Sequence, residues 1–418
     1  MSGKGEPTHA VVISGGGANG AYAVGVLKAL LNGKTPACGS APAPKIYAGT
    51  SIGSFTASFL VSQWDTYGPA ATGNLEQTWL ERLASNPPRY GNGALRFRGD
   101  LLELLAPSSY LPNPLRPFLR LAGDTAYLAW DGLQRLVQAL FSEGGDLRQR
   151  AADLLDLTAF VSTEPWHDSI RESIDFARIR SSTRQLRIAA TNWTTGELRI
   201  FKNIEMTDQM GPLAIRASSA IPGIFPPAMV GAEPHVDGGV VMNTPLKPAL
   251  EAGADFLSVI YFDPDIRAIP LNALHSAIGT NVREQQIAWA QKVNDDIEDA
   301  RAINKGLAML AHLERGEEVS DPQLAALAQV LSKIVDRLRS ATKYKPLTIH
   351  RYHPHDDLAG GSLGLLNLDR KHIEELIARG FSDAVAHDCA ASNCVLLTPE
   401  EREVAATRAA ERSGGGNA

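Results

Sequence analysis

Three short stretches of this chain hold residue types at spacings that chemistry can use. Gly49-Thr50-Ser51-Ile52-Gly53 sets a serine between small residues where a strand gives way to a helix, the pattern in which a sharp turn exposes Oγ at a sheet edge. Such a hydroxyl attacks an acyl carbon, and the dipole of the following helix favours the negative charge that then develops. Gly15-Gly16-Gly17-Ala18-Asn19-Gly20 also follows a short β-branched run and opens a helix, so its amides can converge as an oxyanion hole or a phosphate cradle. Asp237-Gly238-Gly239 supplies a carboxylate at an expected strand end, where glycines admit a close neighbour, as a base for the serine.

Each stretch has a rival reading. The glycine loop satisfies G-x-G-x-x-G, but a dinucleotide site expects an acidic residue about 20 residues further on, and residues 21–64 contain none. By itself Asp-Gly-Gly is more often a turn than a catalytic group. A Ser-His-Asp triad of the α/β-hydrolase type could draw its histidine from His350, His353, His355 or His387. Against it, the elbow comes early in the chain and the glycine loop directly precedes it. His235 would share a strand face with Asp237 and is read as a packing neighbour. The run His350-Arg351-Tyr352-His353-Pro354-His355-Asp356-Asp357 invites a metal assignment, but no other set of ligands completes a recognisable spacing, so neither a metal nor a cofactor is expected.

The elements that position these groups follow from periodicity. Residues 9–13 and 45–48 read as strands, each followed by a glycine-bearing loop and a helix, and two such units argue for a parallel α/β sheet. Residues 74–180 change to Leu-rich helical text punctuated by proline and glycine, read as a helical insertion over the sheet. Within it, residues 89–121 mix leucines with Arg96, Arg98, Arg116 and Arg120, a combination suited to a lipid interface, although packing in the insertion's core is the favoured reading. A hairpin is expected at 186–191 and 198–201, with further strands at 235–236, 256–262 and 347–352. Helices are expected at 282–313, 322–338 and 370–378.

Forty Lys plus Arg against 46 Asp plus Glu give a net charge of −6, which excludes a general attraction to nucleic acid. Cys38, Cys389 and Cys394 are too few for a disulfide framework and fit a reducing compartment, with a Cys389–Cys394 bridge conceivable only under oxidation. Lys4 is offset by Glu6 and the first apolar run is cut by glycines, which makes a poor signal peptide; residues 7–27 and 46–64, though uncharged by acid, Lys or Arg, are too interrupted to span a membrane. A cytoplasmic protein, able to touch a membrane surface locally, is the expectation.

A glycine-rich loop, a G-x-S-x-G elbow and a late Asp-Gly-Gly in that order resemble the patatin-like phospholipases, and so do the stretches Ala217-Ser218-Ser219-Ala220-Ile221-Pro222 and Asp237 to Pro245. The resemblance implies a three-layer α/β sandwich with a mostly parallel central sheet. It implies one acyl hydrolase domain over 9–386, with the insertion at 74–180, a C-terminal helical extension at 270–386 and a tail at 387–418. It further implies a dyad of Ser51 as nucleophile and Asp237 as base, acting without metal on a phospholipid or other lipid ester through an acyl-enzyme. Gly15, Gly16, Gly17, Ala18, Asn19 and Gly20 would form the oxyanion loop, and Gly49, Thr50, Ile52, Gly53, Gly238 and Gly239 would flank the reacting pair. A scaffold that binds lipid without turnover is the non-enzymatic alternative. One departure stands out: where the family usually has Arg or Lys, this chain has Asn19. A carboxylate near pKa 4 is a weak base for a hydroxyl, so burial is expected to raise Asp237.

Overall fold

The computed structural model describes residues 7–36, 43–85, 93–110, 113–141, 161–262, 277–314, 346–356, 358, 361–403 and 405. In chain order its main elements are β1 (His9–Ile13), α1 (Gly20–Leu31), β2 (Ile46–Thr50), α2 (Ile52–Tyr67), α3 (Arg116–Phe141), β3 (Gln185–Asn192), β4 (Leu198–Lys202), α4 (Met210–Ser218), β5 (Ala228–Val230), β6 (Glu233–Asp237), β7 (Phe256–Ile260), α5 (Ala277–Glu314), β8 (Thr348–Tyr352) and α6 (Arg370–Val385). The strands form one mixed sheet of eight in the order β8-β7-β1-β2-β3-β6-β5, with β4 also paired to β3. From β8 to β3 neighbouring strands run parallel; β4, β5 and β6 pair antiparallel.

Every residue of β1 and β2 is buried, as expected for central parallel strands covered on both faces. Side-chain alternation sends Val11, Ile13, Tyr47, Leu186 and Ile188 into a core beneath α1 and α2. The opposite set, with Ala10, Val12, Ile46, Ala48, Leu257 and Val259, packs against the short helix Leu246–Glu251 and against Val293, Ile297 and Ala300 of α5. The result is a three-layer arrangement of helices, sheet and helices. Eleven of the twelve α1 residues are buried, because α6 covers its outer side and Tyr22 donates a hydrogen bond to Asp383 at 3.0 Å.

The expected strands and hairpin are present, and β5 is an additional short strand that three residues were too few to announce. Helix α6 runs on to Val385, seven residues past its expected end. The expected helix at 322–338 lies outside the described residues. The insertion is mostly helical but also holds a two-stranded ribbon, Arg96–Phe97 with Val161–Ser162. Its favoured core packing is corrected by exposure: Leu101, Leu102, Leu105, Leu115, Phe118 and Leu119 are all more than half exposed. From residue 387, where a tail was expected, the chain returns to the sheet, and Val395 bridges Ile349 of β8.

Candidate active site

The register of β3 brings the serine and the aspartate together. β4 occupies one edge of β3 along residues 187–191, so β2 and β6 must share the other edge. There Thr50 is opposite Ala189 and Asp237 is opposite Ala190. The end of β2 therefore meets the end of β6, although 186 residues separate Ser51 from Asp237 in the chain.

Ser51 adopts φ 55° and ψ −126° between β2 and α2, a conformation that non-glycine residues avoid unless their surroundings impose it. The surroundings are specific: the Ser51 amide donates to Ser218 Oγ at 2.9 Å, and that hydroxyl donates to the Ala189 carbonyl at 2.6 Å. The turn can close only because Gly53 lies against the β1 chain end, where a Cβ would come within 2.3 Å of the Ile13 carbonyl oxygen. Gly15 approaches from the other side, and a Cβ there would meet the Ser51 Cβ at 2.8 Å.

The Ser51 side chain faces the Asp237 carboxylate and helps to hold it charged, and that carboxylate accepts the Gly239 amide at 2.7 Å through Oδ1. Asp237 is 4% exposed, and burial pushes its pKa up to about 7, against the opposing pull of the bonds from Ser51 and Gly239. This is the direction expected from the sequence, and it leaves a carboxyl group that exchanges a proton near neutral pH. Thr50 Oγ1 donates to the Met242 carbonyl at 2.9 Å, and Trp289 Nε1 donates to the Gly239 carbonyl at 2.7 Å, so the segment after Asp237 is laced to both the elbow and α5.

Only part of the glycine loop can serve as a set of open donors. The Gly15 amide is taken by Asn243, the Asn19 amide by the Gly16 carbonyl at 3.1 Å, and the Gly20 amide by the carbonyls of Gly17 and Ala18. The amides of Gly16, Gly17 and Ala18 have no protein acceptor among the described residues. Gly17 takes the left-handed position at φ +56°, and Asn19 is helical with a buried Oδ1 that has no partner among the described residues. Asn243 is the residue that sequence reasoning left without a role: its side chain accepts from the Gly15 amide at 3.1 Å and donates to the Gly15 carbonyl at 3.3 Å, fixing the loop beside Ser51. Ser218 was likewise unassigned. Both fall within the two stretches that resemble the phospholipase family, which was the available signal.

Gly17, Ala18, Ser51 and Ile52 open onto a pocket whose other walls are mostly apolar, from Trp79 and Leu83 before the ribbon, Trp166 after it, Ile221 and Phe225, and Leu365, Leu366 and Leu368, with Thr163 and Ser219 adding hydroxyls. Trp166 is anchored by its Nε1 on Ser219 Oγ at 3.1 Å and packs on Phe55 of α2. The other singled-out histidines lie elsewhere. His235 binds the Glu233 carbonyl at 3.1 Å, while His350 lies in the far edge strand β8 and His353 stacks on Tyr261. Burial holds both His350 and His353 down to about 4. Among the described residues no helix is long and apolar enough to cross a membrane.

A family model described as Patatin-like phospholipase matches residues 11–250, a span that contains the glycine loop, Ser51 and Asp237. Among solved structures, the crystal structure of VipD from Legionella pneumophila is similar at 16% identity with a TM-score of 0.31, covering 98% of this chain and 74% of that one. A likeness that distant carries no weight here beside the family match.

Proposed function

The chain belongs to the patatin-like phospholipase family, and from that premise we propose that it is a lipid acyl hydrolase whose reaction runs through Ser51 and Asp237. The observation that carries the reading is the juxtaposition of a serine in a strained elbow, lining a largely apolar pocket, with a buried carboxyl whose pKa is pushed up to about 7.

Ser51 Oγ attacks the ester carbonyl carbon as Asp237 takes its proton, and the carbonyl oxygen gains the negative charge. The amides of Gly16, Gly17 and Ala18 face that oxygen; a donor of this kind is typically worth about 100- to 1000-fold in rate. Collapse of the tetrahedral adduct breaks the ester C–O bond, and Asp237 returns the proton to the departing alcohol. Asp237 then takes a proton from water, which attacks the acyl-enzyme and releases the fatty acid with Ser51 restored. The pocket walls of Trp79, Trp166, Phe225 and Leu365 hold the acyl chain, which is why a lipid ester rather than a polar ester is the substrate class. The exposed leucines of the insertion and Phe118, Leu119 and Trp130 of α3 rest on the lipid surface from which substrate is drawn.

A fluorophosphonate probe tests the nucleophile: it is expected to label the protein at Ser51 and to leave Ser51→Ala unlabelled, with folding intact. Mass spectrometry of the products from a defined phospholipid, its lyso form and a triacylglycerol then identifies the ester. Absence of labelling and of any product would favour the lipid-binding scaffold over the enzyme.

A further inference from the structure

The far edge of the sheet gathers four metal-ligating side chains that no linear spacing brings together. His350 lies in β8, and His387, Cys389 and Cys394 lie on the segment that follows α6. One ligand atom from each falls within 4.8 Å of all the others. We propose that these four residues form a tetrahedral binding site for a divalent ion of the zinc type, which pins the segment after α6 to the edge strand.

The distances fit the edges of such a tetrahedron. Zinc–sulfur bonds of about 2.3 Å and zinc–nitrogen bonds of about 2.0 to 2.1 Å at tetrahedral angles require sulfur and nitrogen to lie roughly 3.6 Å apart. Cys389 Sγ is 3.4 Å from His350 Nδ1 and 3.6 Å from His387 Nε2, and Cys394 Sγ is 3.5 Å from that same Nε2. The surrounding groups aim the ligands. His387 turns Nδ1 toward Ser392 Oγ at 3.4 Å, so Nε2 is the atom that faces both sulfurs. The Arg351 amide donates to Cys394 Sγ at 3.3 Å, a bond that favours the thiolate.

The loop between the cysteines is built to hold them close. Asp388 accepts the amides of Ala390 and Ala391, the Cys394 amide closes on the Cys389 carbonyl at 2.9 Å, and Asn393 takes φ 52° to make the final turn. Beyond it, Val395 and Ile349 exchange two backbone hydrogen bonds of 2.9 Å, so the segment both supplies ligands and covers the edge of β8. Two thiolates and two imidazoles in tetrahedral array suit zinc over magnesium or calcium, and four protein ligands leave no open position for catalysis. Binding replaces two S–H protons with one divalent charge, which leaves the cluster neutral. None of the four residues lines the pocket of Ser51, so the site is structural and separate from the dyad.

The full chain, purified under reducing conditions without chelator and supplied with zinc, is expected to retain about one zinc per chain by elemental mass spectrometry. Replacing zinc with cobalt should give the visible absorption of a tetrahedral thiolate complex. Cys389→Ser and His350→Ala should lose the metal, and Cys38→Ser should keep it. Stripping the metal should lower the melting temperature while fluorophosphonate labelling of Ser51 persists at a temperature where the protein stays folded, which separates this site from the proposed reaction. A wild-type protein that takes up neither zinc nor cobalt, with both thiols freely titratable, would overturn the proposal. So would a Cys389–Cys394 disulfide found in the protein as prepared under reducing conditions.

Discussion

At the scale of single residues, Asp237 carries two opposed consequences of burial. As the proposed base for Ser51 it must be ionised, so ester hydrolysis should fall as pH drops through about 7, and Asp237→Asn, whose amide cannot accept the proton, should lose nearly all activity. Its folded-state pKa of about 7 lies above the ordinary carboxylate value of 3.8, so the stability contributed by the neutral carboxyl is fully present below about pH 4 and is lost as pH rises through 7. That rise is worth up to about 4 kcal/mol, as an order of magnitude. Asp237→Asn should therefore be more stable than the native protein at pH 8 and indistinguishable from it near pH 4, and thermal melts across that range check both ends. Asn19 offers a second test, because its Oδ1 is buried without a partner next to the open amides. Asn19→Arg should raise turnover of an anionic phospholipid above that of a neutral ester by up to roughly tenfold, or about 1.4 kcal/mol, with the gain shrinking as salt rises. Equal effects on both substrates at every salt concentration would mean that position 19 sets loop shape rather than charge.

Among the elements, the insertion combines a polar anchor with an apolar face. Arg96 of the ribbon makes a bidentate pair with Asp124 of α3 at 2.6 and 3.0 Å, and both side chains are 8% exposed. Glu164 joins at 3.3 Å, which ties the ribbon, α3 and the helix Glu164–Ser173 together. Asp124→Ala leaves a buried guanidinium short of its main partner, and breaking a buried pair in this way costs about 3 to 5 kcal/mol. Limited proteolysis should then cut within residues 93–141 well before the sheet is attacked. The apolar face predicts a different result. Phe118, Leu119 and Trp130 are 53%, 65% and 62% exposed, so replacing all three with serine should leave folding and hydrolysis of a soluble short-chain ester nearly unchanged. Turnover on phospholipid vesicles should fall by roughly tenfold or more, since each large apolar side chain withdrawn from lipid forfeits about 1.5 to 3 kcal/mol. A parallel loss on the soluble ester would place these residues in packing instead.

Across the whole molecule, the sheet separates two centres. The proposed dyad lies where β2 and β6 meet, while His350 and the cysteines lie at the β8 edge, three strands from β2 in the sheet order. His353, stacked on Tyr261 near that edge, should therefore tolerate His353→Ala with activity within about threefold, under 1 kcal/mol of barrier; an indispensable His353 would restore the triad reading. What the sequence by itself determined about this protein was local: the strand, loop and helix grammar around Ser14 to Leu31 and Lys45 to Val61, the elbow serine, and the aspartate before two glycines. Those features are legible because a tight turn or a buried strand constrains residue type within a few positions. The tertiary structure alone decided everything that depends on register and on distant packing. It set Asp237 against Ser51 through β3, closed three of the six loop amides with internal acceptors, and assigned Asn243 and Ser218 to hold the loop and the elbow. It also exposed the insertion's leucines and drew His350 to cysteines 39 and more residues away. Long-range pairing leaves no periodic trace in the chain, because the residues that meet are chosen by which strands and helices become neighbours, not by their own spacing.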